Sequence, residues 1–168
     1  MQIRKAETND VQRLADLFIG HITAHREYIS HGEIQMGVGK CRLQDGHLTT
    51  EPAEEAREKW VRYICGNING GDEACVWVAE EDEKIIGFCA AEIQEDGDKP
   101  FGVLCDLFVS QESRGSGTGD RLMKTAISWI REKGVSDIYL ESGKDNHPAH
   151  EFFKRRGFHL VSEIYKLG

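Results

Sequence analysis

The stretch Arg114-Gly115-Ser116-Gly117-Thr118-Gly119 decides how the rest of the chain is read. It stands between a strand-like run, Val103 to Val109, and a long segment in which Leu122, Met123, Ala126, Ile127 and Ile130 recur at helical spacing. Glycines at 115, 117 and 119 leave a turn at the mouth of that helix whose backbone N–H groups carry little side-chain shielding. The positive end of the helix dipole adds to these donors, so the sequence predicts an anion site suited to phosphate or pyrophosphate.

The flanking pattern narrows the kind of phosphate site. Upstream, Ala74 to Glu80 and Lys84 to Ile93 are strand-like runs joined by Glu81-Asp82-Glu83, and the polar loop Glu95 to Pro100 leads into Phe101 to Val109. Short polar connections predict an antiparallel meander. A dinucleotide fold would want G-x-G-x-x-G in a parallel sheet, but Gly117-x-Gly119 is followed by Asp120-Arg121-Leu122. Glu141 stands at a tempting distance for a ribose-binding acid, yet the meander argues against a doubly wound sheet. A P-loop is excluded because no Gly-Lys-Ser/Thr follows the turn.

At the start of the chain, Gln2 to Lys5 reads as an opening strand, and Thr8-Asn9-Asp10 has helix-capping chemistry. Val11, Leu14, Ala15, Phe18 and Ile22 then mark an amphipathic helix to about Tyr28. His21 and His25 lie four apart on it, a metal-binding spacing without a third ligand in view. Residues 30–50, interrupted by Gly32, Gly37, Gly39 and Gly46, read as a long loop and a candidate substrate lid, with Glu33 and His47 as weak substrate candidates. Pro52 opens a second helix striped by Ala53, Ala56, Trp60, Val61 and Ile64. Beyond the glycine turn and its helix, closed by Gly134, Asp137 to Glu141 is a strand expected to pair parallel to Phe101–Val109. A short helix over Ala149–Arg156 and a last strand over Phe158–Lys166 complete the order βααβββαβαβ, an α+β fold.

The 168 residues are read as one domain, 1–168, since no stretch looks like a linker. With 39% apolar and 30% charged residues, no run of 18 apolar residues and no basic, apolar leader, the expected setting is the cytoplasm, with no membrane partner. Five cysteines with no C-x-x-C pair predict reduced thiols, no disulfide and no metal. A formal charge of -8 without a basic helix face excludes nucleic acid as an expected partner and favours a cationic small molecule.

Leu107-Phe108-Val109 followed by Arg114-Gly115-Ser116-Gly117-Thr118-Gly119 resembles the acetyl-CoA-binding signature of the Gcn5-related N-acetyltransferases, Q/R-x-x-G-x-G/A. Downstream, Asn146-His147-Pro148-Ala149 and Phe152-Phe153-Lys154-Arg155-Arg156-Gly157-Phe158 resemble that family's N-x-x-A…F-Y-x-x-x-G-F segment. The resemblance implies a mixed sheet in which Val103–Val109 splays from Asp137–Glu141, leaving a V-shaped cleft for the coenzyme. It implies that Leu107, Phe108 and Val109 flank the pantetheine arm, that residues Arg114, Gly115, Ser116, Gly117, Thr118 and Gly119 hold the pyrophosphate, and that Asn146 and Phe153 also touch the cofactor. Lys154, Arg155 and Arg156 stand where they could reach the nucleotide end, although a basic helix C-terminus needs no ligand. The activity implied is transfer of an acetyl group from acetyl-CoA, without metal, to a small cationic amine in a ternary complex. The alternatives are a protein N-terminus or lysine as acceptor, or an acyl-CoA sensor without turnover. Homodimers are frequent in the family.

The match departs from the family at the reacting end. Phe153 occupies the position at which many relatives carry a tyrosine able to protonate the departing thiolate; Tyr139 and Tyr165 are conceivable substitutes. Cys105-Asp106-Leu107-Phe108-Val109 resembles the Glu-Asp-x-Phe-Val of polyamine acetyltransferases, with Cys105 in the glutamate position. Asp106 interrupts an apolar strand, where an unpaired carboxylate is costly, so it is the first candidate for amine binding or proton removal. Glu92 is the second, followed by His147 and Glu141.

Overall fold

The computed structural model describes residues 1–95 and 97–168; position 96, in the Glu95–Pro100 loop, lies outside the described residues. The chain forms two compact units, residues 1–18 with 60–140 and residues 19–59 with 141–168.

The first unit is built on a five-stranded sheet. Strands β1 (Gln2–Lys5), β4 (Ala74–Glu81), β5 (Lys84–Gln94), β6 (Phe101–Val109) and β7 (Ile138–Leu140) follow one another in that spatial order. All neighbours are antiparallel except β6 and β7, which pair parallel across the connection carrying helix α4 (Thr118–Glu132). The expected meander and crossover are therefore both present.

Alternation along the strands assigns each sheet face a partner. On one face α4 buries Leu122, Met123, Ala126 and Ile130. A Cβ on Gly102 would come within 2.6 Å of Ile130, and one on Gly87 within 2.7 Å of the Phe108 carbonyl, so glycine sets how closely these elements approach. On the other face, Phe88 meets Trp60 edge-on with ring centroids 5.7 Å apart, and Trp60 stacks on Phe18 at 4.6 Å. Trp60 belongs to α3 (Ala56–Ile68) and Phe18 to α1 (Val11–Ala24). At the sheet edge, Arg4 bridges Asp10 and Glu80, both at 2.8 Å, and its guanidinium holds the Asp10 carboxyl below the usual range.

In the second unit, the expected loop over residues 30–50 is regular structure. Ser30 and Glu33 form a reciprocal capping box on α2 (His31–Gln35). Strands β2 (Gly39–Gln44) and β3 (His47–Pro52) then form a hairpin closed by Asp45 and Gly46, both at positive φ. Pro52 ends β3, and the helix begins at Ala56. The second correction is at the far end: Phe158–Lys166 forms no ladder, and Leu160 and Val161 are 77% and 75% exposed. Helix α5 (His147–Lys154) precedes that stretch. The expected order gains α2, β2 and β3 and loses its last strand, while the mixed α+β sheet stands. No helix among the described residues is long and apolar enough to cross a membrane.

Candidate functional site

The site begins with one extra residue in β6. Ala90 pairs with Asp106 and Ala91 with Leu104, so Cys105 is the inserted residue of a β-bulge. Because side chains alternate, one inserted residue moves everything after it to the other face. Gly102 meets Ile130 of α4, whereas beyond the bulge Asp106 bonds Tyr63 and Phe108 stacks on Phe88 at 5.6 Å, on the face covered by α3. The bulge thus turns a carboxylate away from α4 and toward α3.

The parallel pairing with β7 stops at the same place. Its last pair is Leu104 with Leu140, and β6 runs on from Cys105 to Val109 with no β7 residue opposite. This leaves a strand edge of backbone donors and acceptors open to an extended ligand.

Asp106 accepts a hydrogen bond from the Tyr63 hydroxyl at 2.7 Å. The residue keeps part of its surface accessible, yet desolvation pushes its pKa up to about 6, opposed by Tyr63 and Trp60 and assisted by the Glu92 charge. The Trp60 indole N–H has no acceptor in good hydrogen-bond geometry, so it acts on Asp106 from farther off. Burial, reinforced by Glu92 and Asp106, holds the Cys105 thiol well above its ordinary value. Glu92 itself accepts from the Gln94 amide.

Past β6 the chain enters the glycine turn. Arg114 folds back so that its Nε donates to the Val109 carbonyl at 3.1 Å, which ties the turn to the strand. Gly117 caps α4 at φ 84°, a left-handed conformation, with nothing within 4 Å of the place a Cβ would take. The Ser116 hydroxyl donates to the Ser113 carbonyl at 2.6 Å, and Thr118 is 1% exposed. Thr118 is therefore turned into the protein and the hydroxyl of the exposed Ser116 is held within the turn, so the turn offers its backbone. The first backbone bond entering α4 runs from Arg121 N–H to the Gly117 carbonyl, so the earlier N–H groups have no intrahelical acceptor.

Other candidates have local partners. Asn146 is the N-cap of α5, its side chain accepting from Ala149 N–H at 3.3 Å, and Phe153 packs edge-on against Phe152 and Phe158. Glu141 accepts from Gly32 N–H at 2.6 Å, and His147 lies edge-on to His150. Tyr139 packs against Phe101, and Tyr165 donates to Glu163. Arg156 lies over the Phe152 ring at 3.5 Å, and Lys154 pairs with Glu151. His21 and His25 rings lie 5.2 Å apart, with His25 stacked on Tyr28. No group of three or more His, Cys, Asp or Glu side chains among the described residues is placed to hold a metal.

Tyr63 is not among the residues expected from the sequence, because it carries a polar group next to the apolar stripe of α3. Its signal was its spacing, three residues after Trp60 and one before Ile64, which puts it on the inward face.

A family model described as "Acetyltransferase (GNAT) family" matches residues 42–158. Human N-acetyltransferase 8 is 32% identical over 124 residues, covering 66% of this chain and 54% of that protein. The chain spans about half the length of the curated relatives it matches. Among solved structures, a predicted acetyltransferase with acetyl-CoA from Clostridium acetobutylicum has a TM-score of 0.70 at 19% identity, covering 99% of this chain and 95% of that one. An aminoglycoside 6'-N-acetyltransferase from Acinetobacter haemolyticus has a TM-score of 0.67 at 15% identity, covering 100% and 97%. With most of its length matched by the family model, the bulged strand and glycine turn in place, this chain belongs to the GNAT acetyltransferase family.

Proposed function

We propose that the chain is an acetyl-CoA-dependent N-acetyltransferase that acts on a primary amine of a small cationic molecule in the cytoplasm. The observation that carries this reading is the continuity of the open β6 edge, Cys105 to Val109, with the glycine turn at the N-terminus of α4. Such an edge suits the amides of a pantetheine arm, and the unshielded N–H groups after Arg114 suit a pyrophosphate. Thr118 is buried, the Ser116 hydroxyl is held by the Ser113 carbonyl, and Gly117 has open space where a Cβ would stand. Arg114, exposed and anchored through its Nε to the Val109 carbonyl, adds a positive charge beside these N–H groups. When bound, acetyl-CoA supplies an activated thioester.

The protein's own part is to hold and deprotonate the amine. An alkylammonium of pKa about 10 is neutral in roughly one molecule per thousand at pH 7, so a base is useful. Asp106, at about 6, is mostly ionised at neutral pH while staying close to the operating range. Glu92 and Asp106 together make a negative site for a cation. One ammonium N–H bond breaks as an O–H bond forms on Asp106, the freed nitrogen forms the amide C–N bond as the C–S bond breaks, and the second proton lost from that nitrogen passes through water to the departing thiolate. Cys105 does not serve as a covalent relay: burial and two carboxylates keep it as the neutral, weakly nucleophilic thiol, which favours direct transfer.

A thiol-release assay with acetyl-CoA and a panel of spermidine, kanamycin and a peptide N-terminus tests the reading. Amine-dependent CoA release, fastest with a small polycation, is expected. Binding of acetyl-CoA without amine-dependent release across the panel would make the chain an acyl-CoA sensor.

A further inference from the structure

Tyr63 reaches the carboxylate just proposed as the base, and it does so from another element. Its hydroxyl, carried by α3, donates to Asp106 Oδ2 at 2.7 Å across the side chains that follow the Cys105 bulge. Burial first, then the Asp106 and Cys105 charges, hold the phenol well above its ordinary value, so it remains a neutral donor through the working range. A carboxylate turns easily about its last torsion and offers about four lone-pair sites. A fixed donor on one oxygen removes that freedom and leaves the other oxygen with capacity to spare.

The charged and titratable groups around Asp106 come from three elements. Tyr63, together with the indole of Trp60, faces it from α3; Glu92 faces it from β5, while Cys89, paired with Trp77 on the opposite sheet face, feels its charge only through the strand; and Cys105 adjoins it on β6. Glu92 opposes ionisation, and Trp60 lacks good bonding geometry, so Tyr63 is the well-aligned donor to the ionised form.

We infer that Tyr63 is a positioning residue for acetyl transfer: its hydroxyl clamps Oδ2 of Asp106 at the β6 bulge so that Oδ1 is presented to the incoming amine. The inference rests on the reading of Asp106 as the proton acceptor. It assigns to α3 a part in the chemistry beyond packing against the sheet, and it accounts for a half-buried phenol whose oxygen donates to a carboxylate.

The test follows the Asp106 carboxyl carbon by 13C NMR from pH 4 to 9, in wild type and in Tyr63→Phe, with acetyl-CoA affinity measured alongside. The pH dependence of kcat/KM is measured with the amine of the panel most rapidly acetylated. The expected result is a wild-type midpoint near 6. In Tyr63→Phe the midpoint and the acidic limb of kcat/KM both move up by about one pH unit, and kcat falls while acetyl-CoA affinity stays unchanged. As a probe that keeps the phenol ring and fold, 3-fluorotyrosine, a more acidic donor, should move the midpoint down. An elevated wild-type midpoint left in place by both changes would overturn the role of Tyr63 alone. A wild-type midpoint near 4, or wild-type kinetics in Asp106→Asn, would remove Asp106 as the base and the inference with it.

Discussion

Phe101–Val109 and Phe158–Lys166 are nine residues each, both rich in Phe, Leu, Val or Ile, and both read as strands from their composition. The first pairs with β5 along its length and with β7 from Gly102 to Leu104, and its Leu104 is 4% exposed; the second has no ladder, and its Leu160 is 77% exposed. The difference teaches that β-propensity expresses fitness for a pleated, half-buried surface, and that the partner strand decides whether the fitness is used. It also separates the part of the chain that carries the proposed chemistry from a part whose apolar side chains do little for the fold.

The largest expected effect sharpens that contrast directly. Leu104→Ala should cost about 2–5 kcal/mol in denaturant unfolding, as a deletion in a packed core, whereas Leu160→Ala should stay within about 0.5 kcal/mol. Equal costs would show that the second stretch is packed in solution and would break the comparison. Next in size is a pH effect at the bulge. The folded pKa of Asp106 stands at about 6 against 3.8 for an ordinary Asp, so ionising it costs the folded state up to about 3 kcal/mol. Its contribution to stability is full below about pH 4 and lost as pH rises through about 6, the sign for a carboxyl whose pKa is raised. Asp106→Asn should therefore gain thermal stability relative to wild type at pH 8 but not at pH 4, while losing about 10²-fold or more in turnover. Equal Tm differences at both pH values would place the carboxyl in water. Smaller again is Gly117→Val, where forcing a side chain to φ 84° costs about 1–2 kcal/mol of stability and the added methyls stand in the proposed pyrophosphate space. Calorimetry should show acetyl-CoA binding weakened at least about tenfold, or 1.4 kcal/mol.

What was legible followed from the same distinction between pattern and partner. The meander, the crossover and the glycine turn could be read because turn residues and apolar periodicity agree there. The β2–β3 hairpin is hard to read because Lys40, Arg42, Gln44, Thr49 and Thr50 give it little apolar alternation, although Asp45-Gly46 is a strong hairpin signal. Ser30 and Glu33 likewise spelled a capping box inside the supposed loop. Asp106 announced itself as a charge in an apolar strand, but the bulge that aims it depends on a one-residue offset between β5 and β6, which no single-strand pattern encodes. Tyr63 depended in turn on that offset. Asn146 fits the family motif, and its local work is to cap α5. Phe158–Lys166 misled because its composition meets every local requirement of a strand while no strand of the sheet pairs with it.

In the proposed function, the open edge of β6 and the glycine turn together receive one acyl-CoA. Hydrogen exchange measured with and without acetyl-CoA tests it most directly. Slowed exchange is expected at the N–H groups of Gly115 to Gly119 together with the free edge of β6 from Cys105 to Val109, with no change in Phe158–Lys166. Slowing confined to other segments, with 105–109 and 115–119 unchanged at saturating acetyl-CoA, would contradict it.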